Sequence, residues 1–483
     1  MSNVRKNYIY NVIYQLLAVI LPLITSPYIS RILQAEGLGI YSYTFSIVQY
    51  FILFSMLGIK NYGVRSIARV KDDKEQLSKT FWEIYAIQLF LSITVIIAYA
   101  IYIGFISNEY FNINILQFFI VLSALFDVSW FFFGIEKFKI TVSRNIVIRI
   151  ISVILIFLFI KDKTNLPLYT LIMSISTLIN QILLWPFVRK EVKYRKVNLA
   201  TVKKHIKPII ALFVPVIAVS FYIYMDKIML GYLSTMEEVG LYYSAEKIVN
   251  IPFGFILAFG TVMLPRMSYL FEKKDTRRIK NNIEKSMEFN MFLSSAMTFG
   301  IAGVANVFAP WFFGKGFEAV SLLIIAIAPI IIIKSWANVI RNQYLIPKNM
   351  DTKFSLSVIS GAITNVMLNL LLIPRYGALG AIIATVFAEL IVCIIQTIFA
   401  YRDLEIYKYI INSLRYFFAG IVMYLSIFWI GNIISNPITV LIIQVSIGST
   451  IFLCISFFLH PKKTEILKFI KNKIKGKRRK YGN

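Results

Sequence analysis

The chain has 483 residues, 58% of them hydrophobic and 15% aromatic, with a mean hydropathy of +0.71. A water-soluble fold is excluded, since soluble domains use roughly 45 to 50% apolar residues. The net charge of +27 does not mark a nucleic-acid binder, which gathers basic residues on one folded face; here they sit at the ends of long apolar runs. Cys393 and Cys454 lie inside such runs and His205 and His460 at their borders, so no disulfide framework and no Cys or His metal cluster is expected. No catalytic group, metal or cofactor is expected either.

Fourteen runs are long enough to cross a hydrocarbon core of about 30 Å, which takes roughly 20 helical residues. The first, 8–30, carries Pro22 and Pro27 and is expected to stay as a helix rather than be cleaved as a signal; it leads through Arg31 into the second, 38–59. Runs 81–106 and 113–135 follow, with Asp127 inside the fourth. The fifth, 145–160, is short and holds Arg149, and the sixth is 166–188. The seventh, 208–232, contains Pro215, Asp226 and Lys227; the eighth, 240–263, contains Glu246, Lys247 and Pro252. After 288–311, the tenth run, 319–340, holds Pro329 and Lys334. Asn365 and Asn369 lie in 355–373, Glu389 in 378–400, and runs 413–432 and 436–459 complete the series. The expected fold is all-α and integral to the membrane.

Basic residues fix the direction of threading. Of the 51 lysines and arginines, 43 fall on alternate connecting segments and the ends, among them Arg5, Lys6 and ten in the tail from Lys462 to Lys480. The intervening segments carry Arg31, Lys161, Lys163, Lys315 and Arg375. Loops rich in Lys and Arg stay cytoplasmic, which predicts a multi-pass protein of the cytoplasmic membrane with both termini inside the cell. The basic tail is expected to rest on anionic lipid. No connecting segment is long enough for an ATPase domain, and no GxxxxGK[ST] phosphate loop occurs.

An internal repeat is legible. GluGlyLeuGlyIleTyrSer at 36–42 and GluValGlyLeuTyrTyrSer at 238–244 align Gly39 with Gly240 at an offset of 201, and the segment from Trp130 resembles that from Trp336 at nearly the same offset. Six helices fit between matching points, so the halves are expected to run parallel about a central cavity and to move by alternating access. The predicted parts are lobes 1–207 and 208–408, two added helices in 409–460 and a basic tail, 461–483.

Charges inside spans are costly and usually face a cavity or a partner. Lys227, Lys247 and Lys334 are the cations that topology does not explain. With Arg31, and with Arg341, which shares a helical face with Lys334 and Asn338, they are candidates for holding an anionic head group. Local pairing or snorkelling is the other reading for each. Asp127, Asp226 and Glu389 are candidates for ion coupling, against a role in interhelical hydrogen bonding. Asn365 and Asn369 read as helix-to-helix contacts. Tyr222, Tyr224 and Trp336 belong mainly to belts and packing.

Several stretches together carry a family resemblance: SerProTyrIleSerArgIleLeu at 26–33, GlyIleLysAsnTyrGlyValArgSerIleAlaArg at 58–69, TrpPhePhePheGlyIleGluLysPheLys at 130–139, TyrMetAspLysIleMetLeuGly at 224–231 and ArgTyrGlyAlaLeuGlyAlaIleIleAlaThr at 375–385. With the motif at 36–42, the chain resembles the bacterial polysaccharide flippases of the multidrug, oligosaccharidyl-lipid and polysaccharide exporter superfamily. That resemblance implies movement of undecaprenyl-diphosphate-linked repeat units between leaflets for capsule, O-antigen or exopolysaccharide assembly, with polysaccharide polymerase machinery as a partner. The alternatives are a gradient-driven drug antiporter of the same superfamily and a membrane polysaccharide polymerase.

Overall fold

The computed structural model describes the backbone of residues 2–106, 109–432 and 436–460, with the side chains in these ranges except those of 2–20, 199, 215, 222, 255, 258, 261 and 432. The tail, Arg5 and Lys6, Pro215 and Tyr222 therefore fall outside the described residues or side chains. Helices occupy nearly all the rest: α1 Ser2–Met56, α2 Ile59–Val70, α3 Lys74–Phe105, α4 Phe111–Phe126, α5 Ser129–Gly134, α6 Phe138–Phe159, α7 Leu166–Ile182, α8 Trp185–Glu191, α9 Leu199–Leu233, α10 Met236–Glu272, α11 Thr276–Phe313, α12 Val320–Ile327, α13 Ile330–Ile340, α14 Asp351–Ala400, α15 Ile406–Phe428 and α16 Pro437–Phe458.

Eleven helical stretches among the described residues are apolar and long enough to cross a membrane. Two of them, Leu21–Val70 and Asp351–Ala400, have 50 residues each, about 75 Å at 1.5 Å per residue and far more than one crossing needs. Each contains a break. α1 leaves helical geometry at Gln34 (φ 59°) and α14 at Gly377 (φ 51°). Beyond Gly377 the chain folds back: a β-carbon on Gly380 would stand 2.6 Å from the carbonyl carbon of Leu372, and Gln396 donates to Ser357 at 3.0 Å. With α10 in the eighth place, the order of crossings matches the fourteen apolar runs. Pro22 and Pro27 lie within helix, whereas Pro329 separates α12 from α13.

Two boundaries differ from expectation. The fifth span begins at Phe138 rather than at 145, so Arg144 joins Arg149 inside α6. The fourth is broken: α4 ends at Phe126, and Asp127 stands between α4 and α5. A break in hydrocarbon leaves carbonyls that must find donors. Gln88 of α3 supplies them, its Nε2 donating to the carbonyls of Ala124 (2.8 Å) and Asp127 (3.0 Å) while its Oε1 accepts from the Trp130 indole (2.9 Å).

The chain divides into two compact units. The first comprises 1–244, 312–319 and 358–388, the second 245–311, 320–357 and 389–483. In the first, Phe81, Trp130, Phe131 and Phe132 are fully buried around Ile59 and Ile67. In the second, one core gathers Met267, Ile283, Ile340 and Tyr344, and another joins α15 to α16 through Met423, Ile427 and Phe452.

The repeat motifs touch each other inside the first unit. A β-carbon on Gly39 would collide with the carbonyl of Met236, and one on Gly240 with the carbonyl of Ala35. At the offset of 201, Ala35 corresponds to Met236 and Gly39 to Gly240. Equivalent positions thus meet reciprocally, as they do across a two-fold axis. Glycine permits the backbone approach that binds helices in a medium as apolar as their own side chains.

Candidate functional site

Asp226 of α9 is fully buried in the first unit. Its Oδ2 accepts from the Tyr242 hydroxyl at 2.7 Å and the Thr385 hydroxyl at 2.5 Å, and its Oδ1 accepts from Asn369 Nδ2 at 2.6 Å. Asn369 also donates to Asn365 Oδ1 at 3.2 Å. Three helices, α9, α10 and α14, therefore converge on one carboxylate through uncharged donors. A buried carboxylate is tolerated when its lone pairs are filled. Asn369 Oδ1 and Asn365 Nδ2 are buried and have no hydrogen-bond partner among the described residues. Lys227 is buried one residue on, its Nζ 5.8 Å from the centre of the Tyr242 ring.

The other side of α14 is pinned at its kink. Glu238 Oε2 accepts from the Ala378 amide at 2.6 Å, and its carboxylate fills the space where a β-carbon of Gly377 would stand. Gly377 suits the positive φ, and a β-carbon there would displace the Glu238 carboxylate from the Ala378 amide.

In the second unit Lys334 of α13 pairs with Glu389 of α14 at 3.0 Å, and its Nζ lies 5.4 Å from the centre of the Phe253 ring. Asn338, one turn on, donates to the Ile256 carbonyl at 3.3 Å and accepts from Asn342. Arg341 opens a π-helical turn, Arg341–Leu345, donates to Asn342 Oδ1 at 3.3 Å and lies over the Phe354 ring at 5.8 Å. Lys247 is half-buried on α10.

Arg31, exposed, lies across the turn at Phe313–Gly314: Ser30 donates to the Phe313 carbonyl at 2.8 Å, and a β-carbon on Gly314 (φ 95°) would stand 2.7 Å from Arg31 Cγ. Asp127 accepts from the Ser129 amide (3.1 Å) and hydroxyl (2.6 Å) and pairs with Lys60 at 3.3 Å. That is the geometry of an Asx turn leading into α5.

Of the eight sequence candidates, then, Lys334 pairs with Glu389, Asp226 and Lys227 both meet Tyr242, Asp127 pairs with Lys60, Arg31 lies against Gly314, and Arg341 meets Asn342 and Phe354. Tyr242 and Thr385 were missed as members of the Asp226 cage. Each stands in a quoted motif, Tyr242 in GluValGlyLeuTyrTyrSer and Thr385 at the end of ArgTyrGlyAlaLeuGlyAlaIleIleAlaThr, so their polar side chains inside apolar runs were the available signal.

Comparison with known proteins agrees with this architecture. The chain is 24% identical over 404 residues to a protein of Escherichia coli strain K12 named "Putative O-antigen transporter", covering 82% of this chain and 96% of that one. Among solved structures it is similar to the lipid II flippase MurJ in an inward closed conformation, with a TM-score of 0.76, 15% identity, and coverage of 95% and 99% of the two chains. It is also similar to an inward-facing multidrug resistance MATE family transporter of the MOP superfamily, with a TM-score of 0.61, 14% identity, and coverage of 80% and 94%. Residues 4–271 match the family described as polysaccharide biosynthesis protein; that is more than half of the chain, so the protein belongs to this family, on the multi-helix transporter fold that its motifs had implied.

Proposed function

We propose that the protein is a flippase that moves undecaprenyl-diphosphate-linked oligosaccharide units across the cytoplasmic membrane by alternating access, for O-antigen, capsule or exopolysaccharide assembly. In this reading the lobes 1–207 and 208–408 are the moving parts, both termini are cytoplasmic, and polysaccharide polymerase machinery receives the product. The observation that carries it is the pair of buried charges in α9. Asp226 is served by neutral donors, which makes it the coupling carboxylate for a proton or a monovalent cation, and Lys227 places a cation at membrane depth beside it, suited to a diphosphate. Lys247, Lys334, Arg341 and Arg31 are further cations of the same purpose, with Glu389 as the counter-charge that holds Lys334.

The test is vesicles containing the purified protein and a fluorescent diphosphate-linked glycan in one leaflet. Movement of label to the other leaflet without ATP is expected, faster under an imposed proton or sodium gradient. Elongation of the glycan in place of movement refutes the proposal in favour of a polymerase; export of a cationic drug with no glycan movement refutes it in favour of an antiporter.

A further inference from the structure

A cavity of about 420 Å³ opens where α4 and α7 begin; its polar lining is Glu109, Tyr110, Asn112, Lys163 and Thr164, and Ile40 is among its apolar residues. It lies wholly within the first unit. Its size falls in the range of small-ligand sites, about 300 to 1,000 Å³. The connections that build it, 107–112 and 161–165, hold only Lys161 and Lys163 of the 51 lysines and arginines, so the threading proposed above puts it on the outer face.

Both connections are fixed by their own hydrogen bonds. The Tyr110 hydroxyl donates to Glu109 Oε1 at 2.7 Å, and its ring packs edge to face with Tyr43, 6.1 Å between centres. Asp162 Oδ1 accepts from the Thr164 amide at 2.7 Å and from its hydroxyl, while Asn165 Oδ1 accepts from the amides of Lys161 and Asp162 at 2.9 and 3.2 Å. Glu109, Asn112, Lys163 and Thr164 are exposed, open to a ligand arriving from water.

Glu109 and Lys163 line one cavity, yet among the described residues no ion pair joins them, and neither Glu109 Oε2 nor Lys163 Nζ has a hydrogen-bond partner. Their opposite charges disfavour a phosphate, which Glu109 repels, and a cation, which Lys163 repels. They suit a neutral ligand that both donates and accepts, as sugar hydroxyls do with a carboxylate and an ammonium. The aromatic ring of Tyr110 adds apolar surface for the C–H face of a pyranose.

We propose that this cavity is a sugar-binding site at the outer mouth of the protein, in which Glu109 and Asn112 bond hydroxyls, Lys163 donates to a sugar oxygen and Tyr110 packs on the pyranose. It rests on the transport reading for the source of the sugar, a glycan met as it emerges.

The test uses the full chain in nanodiscs and saturation-transfer NMR on a free, neutral N-acetylhexosamine disaccharide. Two competitors are added: the same disaccharide on a short prenyl diphosphate, and that prenyl diphosphate without sugar. Millimolar binding of the free disaccharide is expected. It should weaken by about tenfold or more in Glu109→Ala, the loss of a hydrogen bond to a charged group, and in Tyr110→Ala. Glu109 is exposed, so Glu109→Ala keeps the test valid if Tyr110→Ala fails to fold. The lipid-linked disaccharide should displace the free one, and prenyl diphosphate alone should not.

No transfer with the wild-type protein, or equal transfer in Glu109→Ala, overturns the site. Displacement by prenyl diphosphate alone overturns the sugar assignment, and failure of the lipid-linked disaccharide to displace overturns the emerging glycan as the occupant. If the wild-type protein moves no glycan between leaflets but Glu109→Ala loses disaccharide binding, the site stands and the transport reading falls.

Discussion

Replacing Gly39 or Gly240 by alanine should drive apart the two helices that carry the repeat motifs. A β-carbon on Gly39 would stand 2.7 Å from the Met236 carbonyl carbon and 3.0 Å from the Gly240 nitrogen; one on Gly240 would stand 2.7 Å from the Ala35 carbonyl carbon and 3.1 Å from its α-carbon. The carbonyl oxygens stand closer still, at 1.7 and 1.8 Å, and non-bonded heavy atoms are favourable at about 3.5 Å, so the backbones must separate by roughly 1.5 Å or more. The obstacle is main chain on both sides, which cannot rotate away. Overpacking of this kind costs about 1 to 3 kcal/mol, and because the two contacts are equivalent, the two substitutions should cost similar amounts. The double substitution should fall well short of the sum, since a gap opened for one methyl already admits the other. Gly104→Ala is the control, with nothing within 4 Å of its β-carbon; a helical Gly→Ala change there is neutral or stabilising by up to about 1 kcal/mol. Thermal unfolding of the four purified variants in one detergent measures all of this. If Gly39→Ala and Gly240→Ala unfold no earlier than Gly104→Ala, or if the double variant is fully additive, the reciprocal contact is wrong.

Asp226→Asn keeps the size of the side chain and its place among Tyr242, Thr385 and Asn369 but cannot ionise; folded protein should be recovered near wild-type yield while gradient-driven transport is lost, and retained stimulation by both proton and sodium gradients would remove Asp226 as the coupling group. For the Lys334–Glu389 pair, taking away one partner of a buried ion pair costs about 3 to 5 kcal/mol, with the lower end expected because Lys334 keeps 20% side-chain exposure. Lys334→Met with Glu389→Gln together should recover much of that in unfolding measurements; equal loss in single and double variants would mean the pair is not coupled. On the connection between α14 and α15, Asp403 accepts from Lys348 and Tyr344, and the Lys348 hydrogen bond, then that of Tyr344, holds its carboxyl below the ordinary value. A depressed carboxylate stabilises the fold above its unfolded value of about 3.9, and the contribution fades as pH falls through that value toward the folded one. Asp403→Asn should therefore flatten the pH dependence of the unfolding temperature below about pH 4, by a small amount because the pair is half exposed; parallel curves would discount the interaction.

Much of the fold was legible because a membrane reduces the problem to apolar run length and loop charge, and both are one-dimensional. The fifth span shows where this stops: a cation ends an apolar run, yet α6 begins at Phe138 and takes in Arg144, which donates to Asn145, itself bonded to Asn180 of α7. Partnership was the part that sequence spacing could not supply. Lys60, counted as a topological charge, pairs with Asp127 across 67 positions of chain, and the cage of Asp226 draws on residues up to 159 positions away.

The repeat, by contrast, turned from a likeness of letters into a contact, and it shows where the two copies part. At the same offset Tyr242 corresponds to Tyr41, but Asp226 corresponds to Thr25. The Thr25 hydroxyl is satisfied within its own helix, on the Leu21 carbonyl at 3.1 Å, where Asp226 recruits two other helices. Symmetry thus serves packing at Gly39 and Gly240, where both copies need the same absence of a side chain. An ionisable group is costly at this depth and is held only where the surrounding donors satisfy it; among the described residues Asp226 has three such donors, whereas the Thr25 hydroxyl bonds only carbonyls of its own helix. A coupling site confined to one copy predicts that Thr25→Asp creates no second coupling group: its helix offers a carbonyl where the carboxylate needs donors, so the variant should lose stability without gaining gradient-driven transport in vesicles already lacking Asp226.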